Sequence, residues 1–139
     1  CTPSTVYSDP ISISTEDVSY IRYHSQDNVG NTESVKGKTI YIDTTQPSAT
    51  ITIDSGADST NALAVTLTST YSDASSGIYA CRYKNAGDSW TLWQVCSASD
   101  PWTLPAGDGT KTVYYEVKDN VGNVNQVTDA ITLDQTDPV

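Results

Sequence analysis

The sequence predicts an all-β fold, an antiparallel β-sandwich with about seven strands per module. Apolar and polar residues alternate along several short segments, for example at 49–54 and 62–68, and this period of two is typical of strands with one buried face. Only 17% of the residues are charged, and Ser, Thr, Asn and Asp are abundant. Those side chains compete for backbone hydrogen bonds and disfavour helices, whereas Thr, Val, Ile and Tyr favour strands.

Residues 48–139 contain seven predicted strands, separated by turn signals such as the one at 85–88. On the sixth strand, Val113, Tyr115 and Val117 share one face and are predicted to lie in the core. This number of strands in about 90 residues indicates a two-sheet sandwich. The strands are predicted at 49–54, 62–68, 78–84, 90–96, 102–104, 111–118 and 126–134.

The pentapeptide Asp-Asn-Val-Gly-Asn occurs twice, at 27–31 and at 119–123. The second copy lies 92 positions after the first, and the segments that follow also match, with an offset that drops to 91. An internal repeat with this period has the size of one small β-sandwich module.

The repeat predicts a complete module at 48–139 and the C-terminal half of another at 1–47. In the half module it places an edge segment at 11–14 and strands at 19–26 and 35–43. Half a sandwich cannot bury its apolar faces alone. We therefore expect residues 1–47 to need partner strands from upstream sequence or from another chain.

Both pentapeptides are interpreted as the tip of the last hairpin of a module. Asp and Asn side chains bond nearby backbone N–H groups, and Gly supplies a positive φ. The residues assigned to the tips are Asp27, Asn28, Gly30 and Asn31 in the first copy and Asp119, Asn120, Gly122 and Asn123 in the second.

A calcium site is the alternative interpretation of these acidic residues. Ca²⁺ takes 6–8 oxygen ligands, and further carboxylates lie near the ends of the modules, at Asp43, Asp54, Asp58 and Asp134. The order of residues alone does not bring six oxygens together. We expect no cofactor, with calcium as the alternative.

The three cysteines indicate an oxidising environment. If the hairpin turns at residues 87–88, Cys81 lies directly opposite Cys96 on the neighbouring strand, within disulfide reach. A disulfide implies an extracellular setting. Cys1 has a spacing to its pentapeptide similar to that of Cys96, so it either pairs with a cysteine upstream or is a free or unrelated cysteine.

Composition excludes several classes of partner. The net charge is −10 and there are only 7 Lys and Arg residues, which argues against nucleic acid and against an anionic membrane surface. The sequence has no run of roughly 18 apolar residues, so it has no predicted membrane span.

No catalytic constellation is found in the sequence. His24 matches Glu116 in the repeat, at a position that alternation points outward, so a solvated histidine is expected there. No serine lies in a nucleophile-elbow sequence, and the turn at 107–109 is not followed by a helix that would make it a phosphate loop. We expect a protein that is not an enzyme.

The three tryptophans raise the question of carbohydrate binding. Alternation places Trp90 on the face of the two cysteines, toward the core, and Trp93 on the opposite face. Trp102 is expected to be buried at the edge of a sheet. One exposed tryptophan does not make a stacking platform, so carbohydrate is a weaker alternative.

The second module resembles the immunoglobulin-like repeats of large bacterial or archaeal surface proteins. The resemblance covers 48–139 well and 10–47 in part. It implies an immunoglobulin-like or fibronectin type III-like sandwich without a general active site, and the cysteines lie outside the usual pattern. The matching segments are 49–53, 65–67, 73–78, Trp90, 102–104, 107–114, 117–123 and 133–138.

Such repeats occur in tandem in adhesins, stalks, sheaths and surface fibres, and beside catalytic domains in secreted glycosidases. The resemblance therefore implies a non-enzymatic structural module of an extracellular, cell-surface protein or filament. Its expected partners are other copies of the module, and strand addition between subunits is one mode by which they could assemble. The alternative is an adhesin or a carbohydrate-binding accessory module of a secreted protein.

Overall fold

The computed structural model describes residues 5–137, and every regular element in that range is a β-strand. Within these residues no helix has the length and hydropathy of a membrane span. The chain divides into two compact units, with the division between Thr44 and Thr45. The strands are β1 (Asp17–Tyr23), β2 (Lys36–Ile42), β3 (Ser48–Ile53), β4 (Ser59–Thr60), β5 (Ala64–Ser72), β6 (Ile78–Asn85), β7 (Ser99–Thr103), β8 (Gly109–Asp119) and β9 (Val124–Leu133).

The second unit is a two-sheet β-sandwich, which confirms the predicted fold class. One sheet has the order β3-β5-β7 and the other the order β4-β9-β8-β6. Every pairing is antiparallel except the short parallel contact of β4 with β9. The unit therefore contains seven strands, although β4 has only two residues and was not predicted.

The core of this unit comes from the inward face of each strand. Val113, Tyr115 and Val117 are fully buried at alternate positions of β8, as predicted, and Ile53 and Leu67 meet them from the opposite sheet. Full burial of such side chains stabilises a fold by about 1.5–3 kcal/mol each relative to exposure. The alternating pattern of the sequence therefore corresponds to a real division between core and solvent.

The returning strand predicted at 90–96 is wrong. The only strand pairing that these residues form is an isolated bridge between Cys81 and Gln94. The N–H of Thr91 also bonds the carbonyl of Tyr83, at 2.9 Å, but this contact is one residue out of register with the bridge. A regular strand cannot satisfy both registers, because a shift of one residue exchanges the two faces.

The first unit contains the antiparallel hairpin β1–β2. It matches the hairpin β8–β9 in register: the pair Tyr23–Lys36 corresponds to the pair Tyr115–Val127 after the shift of the repeat. The bridge of Gln26 to Thr32 likewise corresponds to that of Lys118 to Val124. The extra residue of the first copy lies between Thr32 and Lys36.

The edge segment predicted at 11–14 does not form a strand. Its equivalent in the second unit is β7, which pairs with β5. The described part of the first unit contains no equivalent of β5, so residues 11–14 have no strand to pair with.

Candidate functional site

The second pentapeptide forms a tight turn around one carboxylate. Oδ1 of Asp119 accepts hydrogen bonds from the N–H groups of Val121, Gly122 and Asn123, at 2.9, 2.6 and 2.9 Å. Its Oδ2 accepts from the side-chain amide of Asn123 at 2.7 Å. Gly122 has a φ of 106°, a conformation that residues with a Cβ rarely adopt.

The first pentapeptide closes the same turn. Oδ1 of Asp27 accepts from the N–H groups of Val29 and Asn31, at 3.0 and 2.8 Å, and Oδ2 accepts from the Asn31 amide at 2.7 Å. Gly30 again has a positive φ, of 96°. The structure thus places all eight singled-out residues in turns that connect β1 with β2 and β8 with β9.

The surroundings of the two turns differ. Asp119 is only 1% exposed, and the neighbouring Asn120 donates to the carbonyls of Ser76 and Gly77, at 2.7 and 3.1 Å. These contacts tie the turn to the loop before β6, whereas Asp27 is exposed. The same five residues are therefore part of a packed structure in one unit and lie at the surface in the other.

Hydrogen bonding controls the ionisation of Asp119. Burial on its own raises the pKa of this carboxyl, but the bonds from Asn123, Gly122 and Val121 outweigh burial and hold the pKa below its usual value of 3.8. The pKa of Asp27 is also lowered, chiefly by Asn31. Both groups are therefore anionic hydrogen-bond acceptors at neutral pH rather than proton donors.

Stability is expected to fall on acidification through Asp119. Because its pKa is lower in the folded than in the unfolded state, the stabilisation is complete well above pH 3.8 and is lost as the pH drops toward the folded value. Urea unfolding of the wild type and Asp119→Asn at pH 7 and at about pH 3 measures this. The stability gap between the two should shrink in acid; an unchanged gap would contradict the assignment.

Two of the carboxylates proposed as calcium ligands accept backbone hydrogen bonds. Asp54 accepts from the N–H of Thr66 at 2.8 Å, and Asp134 accepts from the N–H of Thr136 at 3.0 Å. Within residues 5–137, Asp54, Asp58 and Asp134 do not form a cluster of three carboxylates.

Two carboxylates of the second unit lie close together at the second turn. The ligand oxygens of Asp73 and Asp119 are within 4.8 Å of each other, and one oxygen of Asp73 accepts three backbone N–H bonds from residues 75–77. Calcium binding stays a prediction. A melting temperature that rises with CaCl₂ beyond the effect of NaCl at equal ionic strength would support it.

The disulfide between Cys81 and Cys96 is confirmed, with a Cα–Cα distance of 5.1 Å. The residue directly opposite Cys81 is Gln94, however, and not Cys96 as the hairpin register predicted. Cys81 is fully buried and Cys96 packs at the edge of the core. The bond therefore fastens the irregular segment 89–97 to β6.

A stacked pair of tyrosines lies beside the disulfide. The rings of Tyr83 and Tyr115 are 4.8 Å apart, and the Tyr115 hydroxyl lies 3.0 Å from Sγ of Cys81. The Tyr83 hydroxyl donates to Asp100 at 2.9 Å. Burial raises the pKa of Tyr83 to about 12 and raises that of Tyr115 as well. Both hydroxyls are therefore protonated donors at neutral pH and do not act as bases.

A row of alternating cations and aromatic rings covers the outer face of β6 and β8. We call it the ladder, and each cation in it lies between 4.3 and 5.0 Å from the centroid of a neighbouring ring. Arg82, at its centre, also pairs with Glu116 at 2.6 Å. In order, its members are Tyr114, Lys84, Trp90, Arg82, Trp93, Lys118 and Tyr79.

The ladder corrects the interpretation of one tryptophan. Trp90 is half-buried in the outer ladder and does not lie in the core, because segment 89–97 does not follow strand alternation. Trp93 is on the outer face, as predicted. Trp102 packs at the edge of the core and donates to Asn85 at 2.7 Å. Trp90 and Trp93 each have two cations against the ring, which leaves less ring surface for stacking on a sugar.

The ladder was not predicted from the sequence, although the positions of its cations could have been. Arg82 and Lys84 alternate with buried residues on β6, and Lys118 does so on β8. Alternation therefore places these cations on one outer face, but nothing in the sequence indicates that segment 89–97 folds its tryptophans onto them.

Replacement of Arg82 by alanine is expected to destabilise the second unit by about 2 kcal/mol. The variant loses contacts with Trp90 and Trp93 and leaves Glu116, whose side chain is 12% exposed, without its cation. Urea unfolding measures the loss, with the exposed Lys38→Ala as the matched control. A change no larger than that of the control would show that the ladder contributes nothing to stability.

His24 and the adjoining cavity lie in the first unit. The prediction of a solvated histidine is wrong, because His24 is half-buried. Its Nδ1 is buried without a hydrogen-bond partner among residues 5–137. It lines an open cavity of about 890 Å³ beside β1. The apolar part of the lining consists of Val6, Tyr7, Ile11, Ile21 and Tyr23.

Comparisons with known proteins identify a fold. No protein-family model matches the chain, and no curated protein matches it. The solved PKD1 domain from the Vibrio cholerae metalloprotease PrtV has a TM-score of 0.50 and 19% identity, covering 65% of this chain and 99% of that domain. The PKD1 domain of Vibrio anguillarum Epp has a TM-score of 0.49 and 17% identity, covering 64% and 94%. PKD domains have an immunoglobulin-like fold, and the likeness to the PrtV domain supports that fold here.

Proposed function

We propose that this chain is a non-enzymatic structural part of an extracellular, repeat-built surface protein or filament. The observation that carries the proposal is the hairpin present in both units, with equivalent registers and the same carboxylate-centred turn. A module whose hairpin recurs with the same register and turn is typical of an extended array, in which each copy contacts its neighbours. The partners are then other copies of the same module.

The disulfide between Cys81 and Cys96 supports an extracellular location. Disulfides persist in oxidising compartments and are rare in the cytosol. Cys81 is fully buried beside Tyr115 and Cys96 packs at the edge of the core, which limits the access of a reductant to the bond. Such a cross-link keeps Cys81 and Cys96 joined when the unit is under mechanical load or when a protease cuts the chain between them.

The chemistry of the polar groups supports a structural role. The two turn aspartates are anionic acceptors of backbone N–H groups, and the two buried tyrosines are protonated. Each is used to hold the fold together, and none presents a base or a nucleophile to a cleft.

Strand addition is the assembly mode that we propose. Among the described residues, β1 pairs with β2 and with no other strand, whereas its counterpart β8 pairs on both edges. An unpaired edge is a template for a further strand. The first unit would be completed by strands supplied from outside the described residues.

An adhesin or a carbohydrate-binding accessory of a secreted hydrolase is the alternative. The PKD1 domain with a similar fold comes from a metalloprotease, which suits an accessory role. Against sugar stacking, the rings of Trp90 and Trp93 already have cations packed on them.

Labelling of cells of the source organism tests the proposal. Antibodies against residues 45–137 are applied to intact and to permeabilised cells and detected with gold in the electron microscope. The proposal predicts equal labelling of both preparations, with gold in rows along surface structures. Labelling that appears only after permeabilisation would contradict it.

A further inference from the structure

The ladder concentrates positive charge on one face of an acidic unit. Residues 45–137 contain eleven Asp or Glu residues and four Lys or Arg residues, a net charge of −7. Three of the four cations, Arg82, Lys84 and Lys118, belong to the ladder. Among the outward positions of β6, β8 and β9, only Glu116 is acidic, so this sheet face has a net charge of +2 in a unit that is otherwise strongly negative.

The aromatic rings hold these cations in defined places. The guanidinium of Arg82 lies 4.7 Å from the ring centroid of Trp90 and 4.3 Å from that of Trp93, and Nζ of Lys118 lies 4.3 Å from the Trp93 ring. A long cationic side chain ordinarily loses rotamer freedom when it binds a ligand, and a side chain that is already held loses less. The ladder is therefore a preorganised row of positive charges.

A peptide strand cannot add beside the ladder, because segment 89–97 already occupies that edge of β6. Cys81 exchanges two backbone hydrogen bonds of 2.9 Å with Gln94, and the carbonyl of Tyr83 accepts from the N–H of Thr91 at 2.9 Å. The N–H of Tyr83 donates to Oγ1 of Thr91 at 3.0 Å. Strand addition needs unpaired backbone groups, so a ligand of this face binds through the charged side chains.

A second copy of the unit does not offer a matching acidic face. The outward positions of β3 and β5 are all Ser, Thr or Ala, so the opposite sheet presents no charge on these strands. Acidic residues such as Asp54, Asp108 and Asp134 lie at the ends of strands, where neighbouring modules join in the proposed array. The ladder is therefore better matched by a separate anionic molecule.

The acidity of the unit limits the charge density of that molecule. Duplex nucleic acid carries one charge per about 1.7 Å of its axis, and beyond the ladder it meets the negative remainder of the unit. A polysaccharide of uronic acids carries one carboxylate per sugar ring, and Lys and Arg form charge-assisted hydrogen bonds with carboxylates. Such a ligand does not need the ring faces that the cations cover.

We propose that the ladder binds a linear polysaccharide of uronic acids, whose carboxylates lie along Lys84, Arg82 and Lys118. Arg82 shares its charge with Glu116, so the two lysines supply most of the attraction. The inference goes beyond the structural role proposed above and does not depend on strand addition.

Titration of the intact chain with hexagalacturonate tests the inference. Calorimetry and tryptophan fluorescence follow the binding, and EDTA in the buffer prevents calcium from bridging the ligand to the acidic unit. We expect saturable binding that weakens as NaCl is raised, because salt screens the charges. The fully methyl-esterified hexamer, which has the same sugar backbone without charge, should not bind. Hexaglutamate has flexible side chains to order and should bind at least tenfold more weakly.

Variants of the chain locate the contact. Lys84→Gln and Lys118→Gln should each weaken binding about fivefold, the effect of one cation at an anionic surface. Lys111→Gln is the matched control, because Lys111 is the one cation of residues 45–137 outside the ladder, and it should change affinity less than twofold. Glu116→Gln removes the acidic residue of the face and should strengthen binding, a result that partial unfolding cannot produce.

Four results would overturn the inference. They are the absence of saturable binding at millimolar hexagalacturonate, equal binding of the esterified hexamer, equal binding of hexaglutamate, which would make an acidic peptide the ligand, and a loss with Lys111→Gln as large as that with Lys84→Gln. None of these results bears on the cell-surface labelling, so failure of this binding site and failure of the proposed function are distinguishable.

Discussion

Replacement of Cys81 and Cys96 together by alanine is expected to lower the free energy of unfolding of the second unit by about 3 kcal/mol. In the chain-entropy model this is the effect of a cross-link that closes a loop of about 15 residues, and the two cysteines are 15 positions apart. Segment 89–97 has one isolated bridge to β6 and no regular strand, so the disulfide acts together with the ladder contacts of Trp90 and Trp93 to hold it there. Urea unfolding followed by tryptophan fluorescence measures the change.

The control for this experiment is a chain with only Cys1 replaced by serine, and the same replacement is made in the double variant. Cys1 lies outside the described residues, and its removal prevents disulfide exchange in both proteins. The single change should leave the stability of the second unit unaltered. A double variant as stable as the control would show that the ladder, and not the disulfide, holds segment 89–97.

Replacement of Asp119 by alanine is expected to destabilise the second unit by about 2–3 kcal/mol. The carboxylate is 1% exposed and accepts three backbone N–H bonds and one amide bond. Its loss leaves donors without partners, and each buried donor without a partner costs about 1–3 kcal/mol. Water can reach the N–H groups nearest the surface, which limits the total. Thermal and urea unfolding measure the effect.

Asp27→Ala is the matched control for Asp119→Ala, because the same turn is exposed in the first unit. Its effect should be clearly smaller, since water can replace the carboxylate there. Equal effects of the two substitutions would contradict the view that packing of the turn against the loop before β6 gives the second copy its importance.

The core and the repeat were predictable from the sequence because they depend on local rules. Alternation identified Val113, Tyr115 and Val117 as core residues, and all three are fully buried. The pentapeptides are interpreted as turns because Asp, Asn and Gly have defined turn chemistry, and the structure gives both copies a turn around the aspartate carboxylate.

Segment 89–97 was not predictable from the same rules. Its tryptophans bind cations on the outer face, and cation–π contacts with Arg82 do not follow a period of two. The disulfide pair was identified correctly even though the register was wrong, because a disulfide requires proximity and not direct opposition. The failure of 11–14 to form a strand has a similar cause, since a strand depends on a neighbour elsewhere in the fold.

Hydrogen exchange of the two equivalent hairpins tests most directly whether the first unit lacks strands that the second unit contains. Exchange is followed by mass spectrometry on peptides that cover β1–β2 and β8–β9. The two hairpins have equivalent registers and turns, so a difference in protection reports their packing. We predict that β8 and β9 exchange only through global unfolding of the second unit and that β1 and β2 exchange orders of magnitude faster. Equal protection of both hairpins in the isolated chain would contradict this account.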